Sequence, residues 1–231
     1  MAMSVPTPDA VSPVRDAGLW SDAWRQLRRN PLFVGPAVVI ALFTVMAVFP
    51  GLFTRTDPRA CDLSHSLLRP SAQHWFGYDL QGCDYYARVI HGARVSMTIG
   101  ITTVAGTALV AVVLGTLAGF YGGLVDTVIA RVTDVVFALP TLLGAIVVLA
   151  VLGGNGLPQL TLVLVLFGWP TMTRLMRSAV LGVRDLEYVT AARALGAGDV
   201  RLMVRHVLPN ALAPVIVYGA IRVGIVIAAE A

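Results

Sequence analysis

Four histidines, two cysteines and the absence of lysine bound the chemistry this chain can attempt. His65, His74 and His91 share one polar stretch and His206 lies in another, with no H-E-x-x-H spacing that would set two imidazoles on one helix face around a metal. No G-x-S-x-G elbow presents a nucleophilic serine. All 17 basic side chains are arginines, and the phosphate-binding loop G-x-x-x-x-G-K-[ST] needs a lysine, so the chain cannot itself be an ATP motor. No catalytic residue, metal or bound cofactor is therefore expected. Cys61 and Cys83 fall in one loop, where an oxidising compartment would let them pair; two separate thiols is the other reading, because spacing does not fix bonding geometry.

The elements that carry these residues are apolar. Of 231 residues 57% are hydrophobic and 13% charged, more apolar than a soluble surface needs. The charges cluster between runs that reach or approach the roughly 20 residues needed to cross hydrocarbon. Five candidate spans follow: 32–53, 95–120, 128–152 with Pro140, 157–172 as the shortest, and 208–229 with Pro214. The fold class expected is all-α and polytopic. Residues 1–31 form an N-terminal segment in which Trp20, Trp24 and Leu27 alternate with Arg25, Arg28 and Arg29, suiting either a helix at the headgroup level or an unstructured tail. Residues 54–93 make an extracytoplasmic loop, and 94–231 a core that contains a coupling loop over 173–207. Arginines crowd the N-terminal segment and the 173–207 loop, so the positive-inside rule places both, and the N-terminus, in the cytoplasm of a multi-pass cell-membrane protein. The net charge of +4 brings no basic stripe interleaved with aromatics, which argues against nucleic acid.

The 173–207 segment is polar yet patterned like helix. Residues 187–196 begin with Glu187, favourable at a helix N-terminus, and stop at Gly196, which accepts a left-handed backbone. Asp199 is placed to cap a second helix, in which Val200, Met203, Val204 and Val207 recur at i, i+3, i+4, i+7 and make one apolar face. Two short helices bent at Gly196 are thus expected to present a docking surface.

Thr190-Ala191-Ala192, Gly196 and then His206-Val207-Leu208-Pro209 closely resemble the signature of ABC-importer permeases, which reads Glu-Ala-Ala, three residues, Gly, nine residues, Ile-x-Leu-Pro. Thr190 replaces the Glu and His206 the Ile, and the form found here resembles the dipeptide, oligopeptide and nickel branch. The likeness continues in Leu27-Arg28-Arg29-Asn30-Pro31-Leu32, His74-Trp75-Phe76-Gly77, Gly92-Ala93-Arg94-Val95-Ser96 and Gly119-Phe120-Tyr121-Gly122-Gly123, and at Asp126, Arg131, Asp134 and Pro140.

The resemblance implies a type I ABC-importer transmembrane domain, usually of six spans, of which this chain shows five and stops where a sixth would begin. It also implies ATPase subunits docking on the 173–207 loop, a homologous second permease completing the path in the bilayer, and an external solute-binding protein delivering dipeptides or oligopeptides. Glu187, Thr190, Ala191, Ala192, Arg193, Gly196, Asp199, Val200, Met203 and Val204 are the coupling residues so assigned. Arg131 and Asp134, three apart on one helix face, are expected to pair or to snorkel separately. Arg222 lies 13 residues past Pro209, ~20 Å along a helix, deep in the last span; it is the candidate for the translocation path, the other readings being satisfaction by carbonyls or an acidic group of a neighbouring helix, or snorkelling outward. The alternative functions are a nickel or glutathione importer permease and a secondary transporter, the latter disfavoured by the lack of matching interruptions in two halves.

Overall fold

The computed structural model describes residues 24–154 and 156–230. Expectations for Arg15 and Trp20 fall outside that range; residues 24–27 are helical, with Trp24 exposed. The chain divides into two units, Met1–Val45 and Met46–Ala231. The first is carried by α1 (Pro31–Val48), where Asn30 Oδ1 accepts the Leu32 amide at 3.0 Å and Pro31 takes the first helical position, at which its missing N–H leaves no bond unmade.

In the second unit, α2 (Tyr85–Tyr121) runs for 37 residues, about 55 Å of rise. Asp84 starts it by accepting the Ala87 amide at 3.0 Å, and Gly122, at φ 66°, ends it. One ridge of α2 is buried at every fourth position: Ile99, Thr103, Thr107, Ala111, Gly115 and Gly119. From Thr103 onward the ridge is small, which admits α5 (Leu157–Val183) to van der Waals contact. A Cβ on Gly115 would stand 2.8 Å from the Thr173 carbonyl, and one on Gly119 2.9 Å from that of Arg177, so neither position has room for alanine.

Between α2 and α5, α3 (Gly123–Ala138) and α4 (Thr141–Leu152) meet at 90°. The expected single span over 128–152 is therefore bent. Leu139, extended because it precedes a proline, ends α3, and Pro140 stands at the α4 N-cap. Among the described residues three helices are long and apolar enough to cross a membrane, or four if this bent pair counts as one. Leu157–Val183 has the length for the expected fourth span but is not among them, since Arg174 and Arg177 ride on its last turns. Residues 173–183, expected in the coupling loop, continue that helix.

The chain then forms α6 (Glu187–Ala194), α7 (Asp199–Leu202), a π turn (Met203–Val207), α8 (Leu208–Ala211) and α9 (Ala213–Glu230) with little interruption. The π turn precedes Pro209, which has no N–H to return to the preceding turn. A core joining Met172, Met176 and Val180 of α5 to Val189, Leu202 and Val207 closes the bundle beneath Gly196.

Candidate functional site

At Gly196 the backbone is left-handed, φ 85°, and space around the absent Cβ is open. The Gly196 amide donates to the Arg193 carbonyl at 3.0 Å and the Ala197 amide to that of Ala192 at 3.1 Å, a Schellman stop that satisfies two of the last carbonyls of α6. Ala192 and Ala197 both lie half-buried against the core, which roots the elbow in the bundle. Arg184 adds a tie from the far end of α5, donating to the Gly119 carbonyl of α2 at 2.7 Å.

The elbow keeps an outer face. Glu187, Thr190, Ala191, Arg193, Asp199, Val200 and Val204 are exposed, and so is Leu195 at 89%. Met203 departs from expectation: it is buried with Leu202 and Val207, whereas Val200 and Val204 point outward. The apolar positions at i, i+3, i+4, i+7 thus serve two surfaces, because the stripe is wide enough for its Met203 and Val207 side to meet the core while its Val200 and Val204 side does not. Asp199 is no cap either. Gly198 occupies the N-cap, and Asp199 is the first helical residue, acting on the dipole alone. Leu195 was missed by sequence reasoning; its signal was a leucine beside the glycine stop, where the chain leaves both helices.

Two ion pairs tie α3 to α5. Arg177 grips Asp126 through both Nε and Nη2, the latter at 2.6 Å, and Arg174 donates to Asp134 at 2.6 Å while lying over the Phe137 ring. Asp134 is shared, since Arg131, 80% exposed, approaches it only to 3.7 Å. The main partner of Asp134 is therefore forty residues away rather than one turn away.

Arg222 lies apart from the elbow. It lines a cavity of about 300 Å³ among α3, α4, α5 and α9, with Phe137, Thr141, Phe167, Gly168 and Thr171. Its guanidinium has no hydrogen-bond or ion-pair partner among the described residues, and its Nη2 would be 3.2 Å from a Cβ on Gly168. The cost of an arginine at membrane depth, at least ~2.5 kcal/mol on insertion scales, is left without an internal counter-charge there.

At the opposite end of α2 the 54–84 loop is cross-linked. Cys61 and Cys83 form a disulfide, with Cα atoms 4.1 Å apart. His74 Nδ1–H donates to the Asp84 carboxylate at 2.7 Å, and the Tyr78 hydroxyl donates to Nε2 at 2.9 Å. Asp79 accepts the Cys83 and Gln81 amides and an Arg88 guanidinium; the Cys83 amide chiefly, with Arg88 and Gln81 behind it, holds its carboxyl below the ordinary value. The Ser64 amide does the same for Asp62.

The dipeptide transport system permease protein DppC of Alkalihalophilus pseudofirmus is 36% identical over 93% of this chain and 68% of its own length. The oligopeptide transport system permease protein OppC of Bacillus subtilis is 35% identical over 94% of this chain and 71% of its own length. A glutathione transport system permease protein, GsiD of Pectobacterium atrosepticum, is 32% identical over 89% of this chain and 68% of its own length. A solved amino acid ABC transporter matches 57% of this chain and 64% of its own at 15% identity and a TM-score of 0.45, too slight a likeness to bear on the fold. Residues 18–70 match the N-terminal TM domain of oligopeptide transport permease C, and residues 111–231 the binding-protein-dependent transport system inner membrane component. The chain, a multi-pass membrane protein, belongs to the family of binding-protein-dependent ABC-importer permeases.

Proposed function

We propose that this chain forms, with a homologous permease, the translocation path for dipeptides or oligopeptides handed over by an external binding protein, driven by separate ATPase subunits that dock on the elbow. Its N-terminus and elbow would face the cytoplasm, as the clustering of arginines in both regions supports. The observation that carries the reading is the two-faced elbow. Val189, Leu202 and Val207 are fully buried in the bundle while Leu195, Val200 and Val204 are exposed together, so a push on the outer residues is delivered to α5 and α9 through a packed core. The relatives named for dipeptide and oligopeptide transport support the cargo class. Glutathione, itself a tripeptide, is the second reading, supported by the relatives named for its transport.

Gly196→Val tests the docking role. A β-branched residue at φ 85° is strained by at least ~1–2 kcal/mol, but it meets nothing within 4 Å, so the elbow distorts while the bundle persists. The variant should lose ATPase co-purification and uptake. Gly198→Ala, at φ −69° and equally open, should retain both. Intact association and uptake in Gly196→Val would overturn the assignment. Competition between labelled glutathione and di- or tripeptides for uptake separates the two cargo readings.

A further inference from the structure

We infer that the Arg222 cavity is a carboxylate subsite in the path, taking the C-terminal carboxylate of a passing peptide with its last side chain against the apolar wall. The inference rests on the peptide-import reading. Two independent features converge on it. The walls combine Val163, Leu164, Phe167 and Ile225 with one cation and no acid, which is the complement of an anionic group on an apolar body. The second is the bend at Pro140. It places Thr141, the first residue of α4, in the cavity lining, and α4 has no side-chain cap, so its amides and the positive end of its dipole add to the field of Arg222. Broken helices in other transporters direct their N-terminal ends at anionic substrates in this way.

The volume, about 300 Å³, lies at the lower end of ligand pockets and suits the terminal part of a peptide rather than a whole oligopeptide. One cation with two threonine hydroxyls nearby gives orientation without tight retention, as a path needs.

The test uses the assembled transporter with its partner permease, ATPases and binding protein, purified and reconstituted. N-acetyl-leucine and N-acetyl-leucinamide are the direct probes, read by thermal unfolding of the complex, and uptake is measured with matched peptides bearing free or amidated C-termini. N-acetyl-leucine should stabilise the wild type and the amide should not. Arg222→Met should abolish that difference and lower uptake of free-carboxylate peptides at least tenfold more than that of the amides, with Arg222→Lys restoring part of both. Should Arg222→Met not assemble, Arg222→Gln, which keeps a polar side chain and removes the charge, should weaken the carboxylate preference in the same direction. Equal shifts with acid and amide, a preference surviving in both variants, or the same stabilisation by phosphate or chloride alone would overturn the subsite. If the wild type transports no peptide at all, the cargo reading fails; if it transports peptides and Arg222→Met changes nothing, the subsite alone fails.

Discussion

The two ends of α2 are held by different physics. At its start, the 54–84 loop is fixed by a disulfide, a buried Asp84 cap and carboxylates collecting amides over short sequence distances. At its end, the elbow has almost no polar cross-links of its own and is held by burial of Val189, Leu202, Met203 and Val207. The two regions are about 55 Å apart along one helix. A cross-linked loop keeps its shape whatever the bundle does; a packed elbow must follow the helices it is packed on. Under the proposed orientation, that contrast would give a rigid outer surface and a lever that moves with the bundle.

The largest effect that would sharpen this contrast is at Leu202. It is fully buried, so Leu202→Ala should lower stability by about 2–5 kcal/mol through lost burial and a residual cavity, while Val200→Ala, exposed two residues away, should change it by less than ~0.5 kcal/mol. Thermal unfolding of the purified chain in detergent reads both, and similar shifts for the two would mean the elbow is not held by packing.

Next in size is the disulfide. Closing a 22-residue separation contributes about 3 kcal/mol in the chain-entropy model, by restricting the unfolded chain. Cys61→Ser/Cys83→Ser should open tryptic cleavage at Arg55 and Arg59 without altering ATPase docking. Loss of docking in that variant would erase the distinction between the two ends. Mass spectrometry of non-reduced peptides should recover Cys61 and Cys83 in one linked species.

The smallest effect is acid loosening of the Asp79 turn. Its folded pKa lies below the ordinary 3.8, so the stability it contributes is complete above that value and is lost as pH falls through the folded pKa. Hydrogen exchange at the Cys83 and Gln81 amides, corrected for intrinsic rate, should rise a few-fold below about pH 4 relative to pH 6. The elbow, with no such carboxylate turn, should show no change over that window.

What could be read in the residues beforehand was whatever local chemistry enforces. Gly196 as a helix stop followed from its freedom at positive φ, and the apolar runs followed from the thickness of hydrocarbon. Helix ends were less legible because hydropathy reports where lipid begins and not where hydrogen bonding stops. Asp84 starts α2 well before the apolar run, and Arg88, His91 and Arg94 are ordinary helical residues within it. The turn at Pro140 was visible as a proline but not as a right angle, since prolines also sit in helices that merely kink. Met203 could not be separated from Val200 by period alone, because a stripe shows that a face is apolar without showing what covers it. The partners of Asp126 and Asp134 lie 51 and 40 residues away, beyond any local rule. The cavity around Arg222 needs four helices to exist, although the unusual arginine itself was plain.

The ridge of α2 that meets α5 has a consequence for how the helices find each other in lipid, where water is not there to drive them together. Glycine and alanine surrender no rotamer freedom on packing, and Thr107 is already committed to the carbonyls of its own helix. The α2 side of the interface is thus assembled from groups with little side-chain disorder left to lose, which offsets the ordering of Met172 and Met176 on α5 and lets the dispersion forces of close backbone approach favour the pair.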